Sequence, residues 1–256
     1  MRPGKCKLCG AERELCESHI IPEFCFKPVY DQKHRASRVN LPEQPAAVSW
    51  IQKGFREPLL CCDCERLFND NYERPFKDYW DNVRLPSPPA GRIGGFDYTS
   101  FKLFHLSILW RAGVCSEKGI KLSLGPYAEK LRAMLFSKDP GPVDHYPILG
   151  RIMMMGERIY PAGSIGLAPL KRRHKNCRQY ILSYCGVEWF VAVTDHPAPE
   201  LAREAADYAP RADGSMMLFV GGWLEGPSVR HIIKRLKHRN EKSAERIPNG
   251  TTRRGT

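Results

Sequence analysis

The longest apolar run, residues 101–114 (FKLFHLSILWRAGV), is hydrophobic on nearly every side of a helical period. That pattern predicts a helix buried all round, with His105 as a core histidine. Residues 127–136 carry Tyr127, Leu131, Met134 and Leu135 on one face, which predicts an amphipathic helix. Beyond it the spacing turns to strands: residues 151–159, 178–184, 187–193 and 216–220. Cys185-Gly186 between two of these reads as a tight hairpin turn. Met153–Met155 and Met216–Met217 read as strand core. Residues 197–214 form a connection with one short helix, and a basic helix from Arg230 decays into a polar, disordered tail.

The first quarter is patterned differently. Leu15 opens an extended segment, and Pro22 prevents a helix from running through His19. Residues 31–56 read as a polar, poorly patterned insertion. From Glu65 a helical pattern begins, with Leu67, Phe68, Tyr72 and Phe76 on the apolar side and Glu65, Asn69 and Glu73 recurring on another. Pro75 limits or kinks that helix. Residues 85–95, rich in Pro and Gly, read as a linker. The expected organisation is a finger domain at 1–84, the linker 85–95, an α+β domain at 96–226, and a basic tail at 227–256. The fold class is α+β: an N-terminal treble-clef (ββα-metal-like) zinc finger, then a helical segment and an antiparallel β-rich region.

Composition adds a partner class. The 256 residues hold 40 Lys and Arg against 28 Asp and Glu, a formal net charge of +12. Such a surplus favours polyanions, nucleic acid before an anionic membrane. Two clusters concentrate it: Lys171, Arg172, Arg173 and Lys175, and Lys234, Arg235 and Lys237 in the tail. Each can neutralise phosphates without reading sequence. Trp50, Trp80 and Tyr79 are candidates for stacking on bases. The N-terminus lacks a signal-peptide core and no window approaches a membrane span, which predicts a cytoplasmic protein with no membrane partner. Ten cysteines in that setting read as thiols and metal ligands before disulfides.

Four of them carry the clearest chemistry. Cys6-Lys7-Leu8-Cys9-Gly10 and Cys61-Cys62-Asp63-Cys64 are two Cys-x-x-Cys pairs, the set that holds one structural Zn²⁺. Two rival ligand choices stay open: Cys62 in place of Cys61, and a Cys16/His19 pair.

The order of knuckle, SHIIP at Ser18–Pro22, and LLCCDCE leading a helix resembles the zinc-containing HNH endonucleases over about residues 1–80. The resemblance implies a ββα-metal finger in which His19 is the general base that activates water against a phosphodiester. It implies Ser18 at the position of a metal-binding acid, and Glu65 as a ligand for a catalytic Mg²⁺ or Mn²⁺ distinct from the zinc. Asn69 and Glu73 would complete that shell. Serine is a poor Mg²⁺ ligand beside Asp, while Glu65 brings a charge where the family has asparagine. The function so implied is a metal-dependent endonuclease acting on DNA, or on RNA, in phage or mobile-element defence. A homodimer or a partner defence protein is a further expected partner. The alternatives are a zinc-finger nucleic-acid-binding protein without catalysis and a protein adaptor. For Glu65 the plain structural reading is an acid favoured at a helix N-terminus.

Overall fold

A computed structural model describes residues 2–40, 47–117, 120–155, 158–159, 166–174, 177–194 and 208–222. The chain is α+β. The N-terminal part is a three-stranded antiparallel sheet, β1 (Arg2–Lys5), β2 (Glu12–His19) and β5 (Arg56–Cys61), with β2 in the centre. β5 runs directly into helix α1 (Cys62–Phe68). His19 ends β2, as expected from Pro22, which instead begins short 3₁₀ turns.

The helical segment starts at Cys62, before Glu65, and passes Pro75 without stopping. A single π-helical turn, Asn69–Glu73, joins α1 to α2 (Arg74–Trp80), with Pro75 in the first turn of α2. There the missing N–H and the ring are tolerated, because the preceding wide turn already departs from the i→i−4 ladder. The π turn also under-rotates the helix, so Glu65 and Glu73 lie closer in angle than eight residues of plain α-helix allow.

Residues 31–56 hold a hairpin that the sequence reading missed, β3 (Ala36–Asn40) paired with β4 (Ala47–Ile51). Its two strands are only five residues each, too short for the period to show. The expected linker 85–95 likewise contains a strand, β6 (Ala90–Gly94), which pairs with β12 (Ser215–Gly222). Glycine-rich strands carry a weak signal because so few side chains report the alternation.

The larger sheet has the order β6-β12-β7-β11-β10-β9. Its strands are β7 (Ile148–Met155), β9 (Gly166–His174), β10 (Cys177–Tyr184) and β11 (Val187–Val193) with β6 and β12. A short β8 (Arg158–Ile159) pairs with β7. All pairings are antiparallel except β12 with β7. The β10–β11 hairpin closes through Cys185 and Gly186 at φ 54° and 74°. Two left-handed residues make the turn whose twist matches that of the strands, hence the glycine.

Helix α3 (Tyr98–Val114) is buried on every side, and the neighbours explain why. Phe104 stacks on Phe76 of α2 at 3.8 Å, and Trp110 meets Phe68 of α1 edge-on. Phe101 packs on Trp189 of β11, and His105 Nδ1 contacts the Tyr184 hydroxyl of β10. One apolar cluster therefore runs from the N-terminal sheet and α1 through α3 into the large sheet. Helix α4 (Tyr127–Ser137) buries Tyr127, Leu131 and Leu135, as its pattern predicts. Met153 and Met216 are strand core. No helix among the described residues is long and apolar enough to cross a membrane.

Candidate metal centre and the adjoining polar cluster

Two loops bring four thiols together. In the first, Gly10 at φ 78° lets the chain reverse so that its N–H bonds the Cys6 carbonyl. Lys7 N–H donates to the Leu59 carbonyl, which ties this knuckle to β5 just ahead of the second pair. Arg132 of α4 donates to the Leu8 carbonyl and holds the knuckle from the other side. The Sγ atoms of Cys6, Cys9, Cys61 and Cys64 all lie within 4.8 Å of one another. Thiolates on one zinc sit about 3.8 Å apart for the usual Zn–S bond, so the set needs only small rotations to close on an ion. Cys6, Cys61 and Cys64 are buried and Cys9 is half-buried.

The electrostatics fit a cation. Burial pushes the Cys6 thiol up, but N–H groups of Cys61, Cys9 and Leu8 outweigh it and bring the thiol down to about 7. Burial raises Cys61 and Cys64; at Cys64 the neighbouring thiols add to it, while at Cys61 the N–H and thiol of Cys64 oppose it. A dication at the centre removes that penalty, since thiolates are its natural donors. These four cysteines can hold a metal ion such as zinc. Neither rival ligand enters the cluster. Cys62 faces Cys16 instead, and His19 lies at the far end of β2.

A second polar group sits where β2 leaves the cluster. Ser18 is fully buried; its Oγ donates to Glu65 Oε2 at 2.7 Å and accepts from Leu60 N–H. Burial raises the Glu65 carboxyl, partly offset by the charge of Arg111 and by the Ser18 bond. Glu73 accepts from Arg111 Nη1 at 2.7 Å, and the same Nη1 donates to the His19 carbonyl at 2.7 Å. Burial lowers the His19 imidazole, against the pull of Glu23, so the ring is neutral near pH 7. Its Nε2 is buried without a hydrogen-bond partner.

Arg111 thus ties Glu73 to the His19 main chain, and the Ser18–Glu65 pair lies near enough to feel its charge. Asn69 is exposed, and its amide donates to Asp70. Two residues escaped the sequence reading. Arg111, in the middle of an apolar helix, signals its role only through the cost of burying a cation there. Arg56 pairs with His19 across β5 and β2 and is exposed.

Of the expected nucleic-acid contacts, Lys171, Arg172 and Arg173 fall on β9, which ends the sheet order. Their side chains, and the whole of Lys175, Lys234, Arg235 and Lys237, lie outside the described residues. Trp50 is 57 % exposed with the Arg35 guanidinium 4.5 Å over its ring. Trp80 and Tyr79 are packed against Phe76 and Phe96. Comparisons with protein-family models, curated proteins and solved structures returned no match.

Proposed function

We propose that this chain is a zinc-stabilised, metal-dependent endonuclease in which His19 activates water against a phosphodiester. The observation that carries the reading is the His19 ring. It is held neutral by burial, leaves Nε2 without a partner, and is anchored one residue from the Ser18–Glu65 pair. A neutral imidazole with an unused nitrogen is what a general base requires. In this reading the cysteine cluster binds structural Zn²⁺ in a treble-clef arrangement, and the ion fixes β2 against α1.

Each polar neighbour then has a task. Ser18 orients Glu65 by donating to it, which suits an orienting role better than ligation. Glu65 accepts a neutral hydrogen bond there, whereas Glu73 is neutralised by Arg111, so Glu65 is the carboxylate for a catalytic Mg²⁺ or Mn²⁺. Such an ion supplies charge stabilisation at the phosphate and the leaving oxygen. Arg111 holds the His19 main chain and so aims the ring. Exposed Arg56, opposite His19, meets the phosphate, and Trp50 offers a face for a base. Substrate engagement has to uncover Nε2. DNA is the preferred substrate and RNA the variant; a defence role follows only from the HNH resemblance.

The serine in place of an acid favours a second reading, a finger that binds nucleic acid without cutting. One experiment separates the two. Zinc-loaded protein is incubated with supercoiled DNA, and in parallel with RNA, in Mg²⁺ or Mn²⁺. Nicking that falls about 100-fold or more in His19→Ala is expected for a general base. Absence of nicking with retained, salt-sensitive binding selects the second reading. Nicking equal in wild type and His19→Ala defeats the first.

A further inference from the structure

Two cysteines beside the metal cluster take no part in it. Cys16 lies on β2, two residues before Ser18; Cys62 is the first residue of α1, three before Glu65. Their Sγ atoms stand 2.7 Å apart, although 46 residues separate them in the chain. Cys62 is exposed and Cys16 is half-buried. Neither sulfur belongs to the group formed by Cys6, Cys9, Cys61 and Cys64. The separation is well below the about 3.8 Å that two thiolates keep on a shared zinc, so the pair fits a sulfur–sulfur bond and not a second ion.

We propose that Cys16 and Cys62 are a redox modification site, a dithiol that small-molecule disulfides of the glutathione type convert reversibly to an intramolecular disulfide. The roles follow from exposure. The Cys62 sulfur, giving its proton to solvent, attacks one sulfur of glutathione disulfide and expels one glutathione thiolate. The Cys16 sulfur, also losing its proton, then attacks Cys62 and expels the second. Per turnover the protein loses two hydrogens and one glutathione disulfide becomes two glutathiones. Excess dithiol reduces the bond back to two thiols and is itself oxidised to its cyclic disulfide. The bond ties the strand carrying Ser18 and His19 to the turn that leads to Glu65, outside the metal's own ligands. This site does not depend on the nuclease reading.

The test uses the full zinc-loaded chain. It is incubated with millimolar glutathione disulfide, alkylated, digested without reduction and mapped by mass spectrometry, with zinc measured on the same sample. The expected result is a Cys16–Cys62 linked peptide, loss of two hydrogens in the intact mass, zinc content unchanged, and full reversal by dithiothreitol. Cys16→Ser should instead stop at a stable glutathione adduct on Cys62. A wild-type map in which Cys62 keeps glutathione overturns the proposal. So does one in which the new bond involves a cluster cysteine with zinc released. The wild-type map decides the matter even if a variant fails to fold.

Discussion

Arg111→Met is the most informative single change to the described core. The guanidinium has no exposed surface and makes four polar contacts besides lying over the Phe68 ring. Nη1 donates to Glu73 and to the His19 carbonyl, while Nε and Nη2 donate to the Ser107 carbonyl and hydroxyl. Methionine of similar length fills most of the volume, so the loss is mainly electrostatic. Breaking a buried ion pair from one side costs about 3–5 kcal/mol, because the remaining charge stays desolvated. The Glu73 side chain keeps 19 % of its exposure, which puts the expected loss at the lower end. The unpaired His19 carbonyl adds about 1 kcal/mol. We expect about 3–4 kcal/mol in all. Urea unfolding of zinc-saturated protein at pH 7, followed by tryptophan fluorescence, measures it. Arg111→Met/Glu73→Gln should recover about 1–2 kcal/mol of the loss by removing the stranded carboxylate. A single variant within about 0.5 kcal/mol of wild type, with an additive double variant, would refute the claim that Arg111 joins the finger to the core electrostatically.

Two further predictions come from buried groups. Lys102 of α3 donates to the Tyr98 hydroxyl and the Pro142 carbonyl, and burial brings its ammonium down to about 7, partly opposed by Asp144 and Asp139. Between that value and the ordinary lysine range the unfolded chain holds more protons than the folded one, so this group makes stability rise with pH across about 7 to 10. Below about 7 the penalty is fully present. Relative to Lys102→Met, wild type should gain up to about 1.4 kcal/mol per pH unit in that window; a flat difference would show that the ammonium is not desolvated. Metal removal is the other case. Chelation should expose Cys6, Cys9, Cys61 and Cys64 to alkylation together and lower the melting temperature, while Cys64→Ser should abolish metal retention. Unchanged stability and alkylation after chelation would mean that no ion holds the knuckles.

Much of this protein was legible one segment at a time. Local pattern sufficed for the buried helix at 101–114, the strands around Cys185-Gly186 and the paired knuckles, because each depends on spacing within a few residues. The resemblance added His19 and Glu65, and the fold brings the strand of one against the helix of the other. What spacing could not reveal is set by neighbours distant in the chain. Arg111 reaches His19 across 92 residues, and Cys16 meets Cys62 across 46. Strand β6 is a strand only because β12 lies beside it. The sequence by itself determined the helices at 98–114 and 127–137, the hairpin at Cys185-Gly186 and the spacing of the candidate metal ligands, since propensity and ligand spacing are local. Only the tertiary structure decided which charges share a buried space, because desolvation depends on what packs around a group and not on what precedes it.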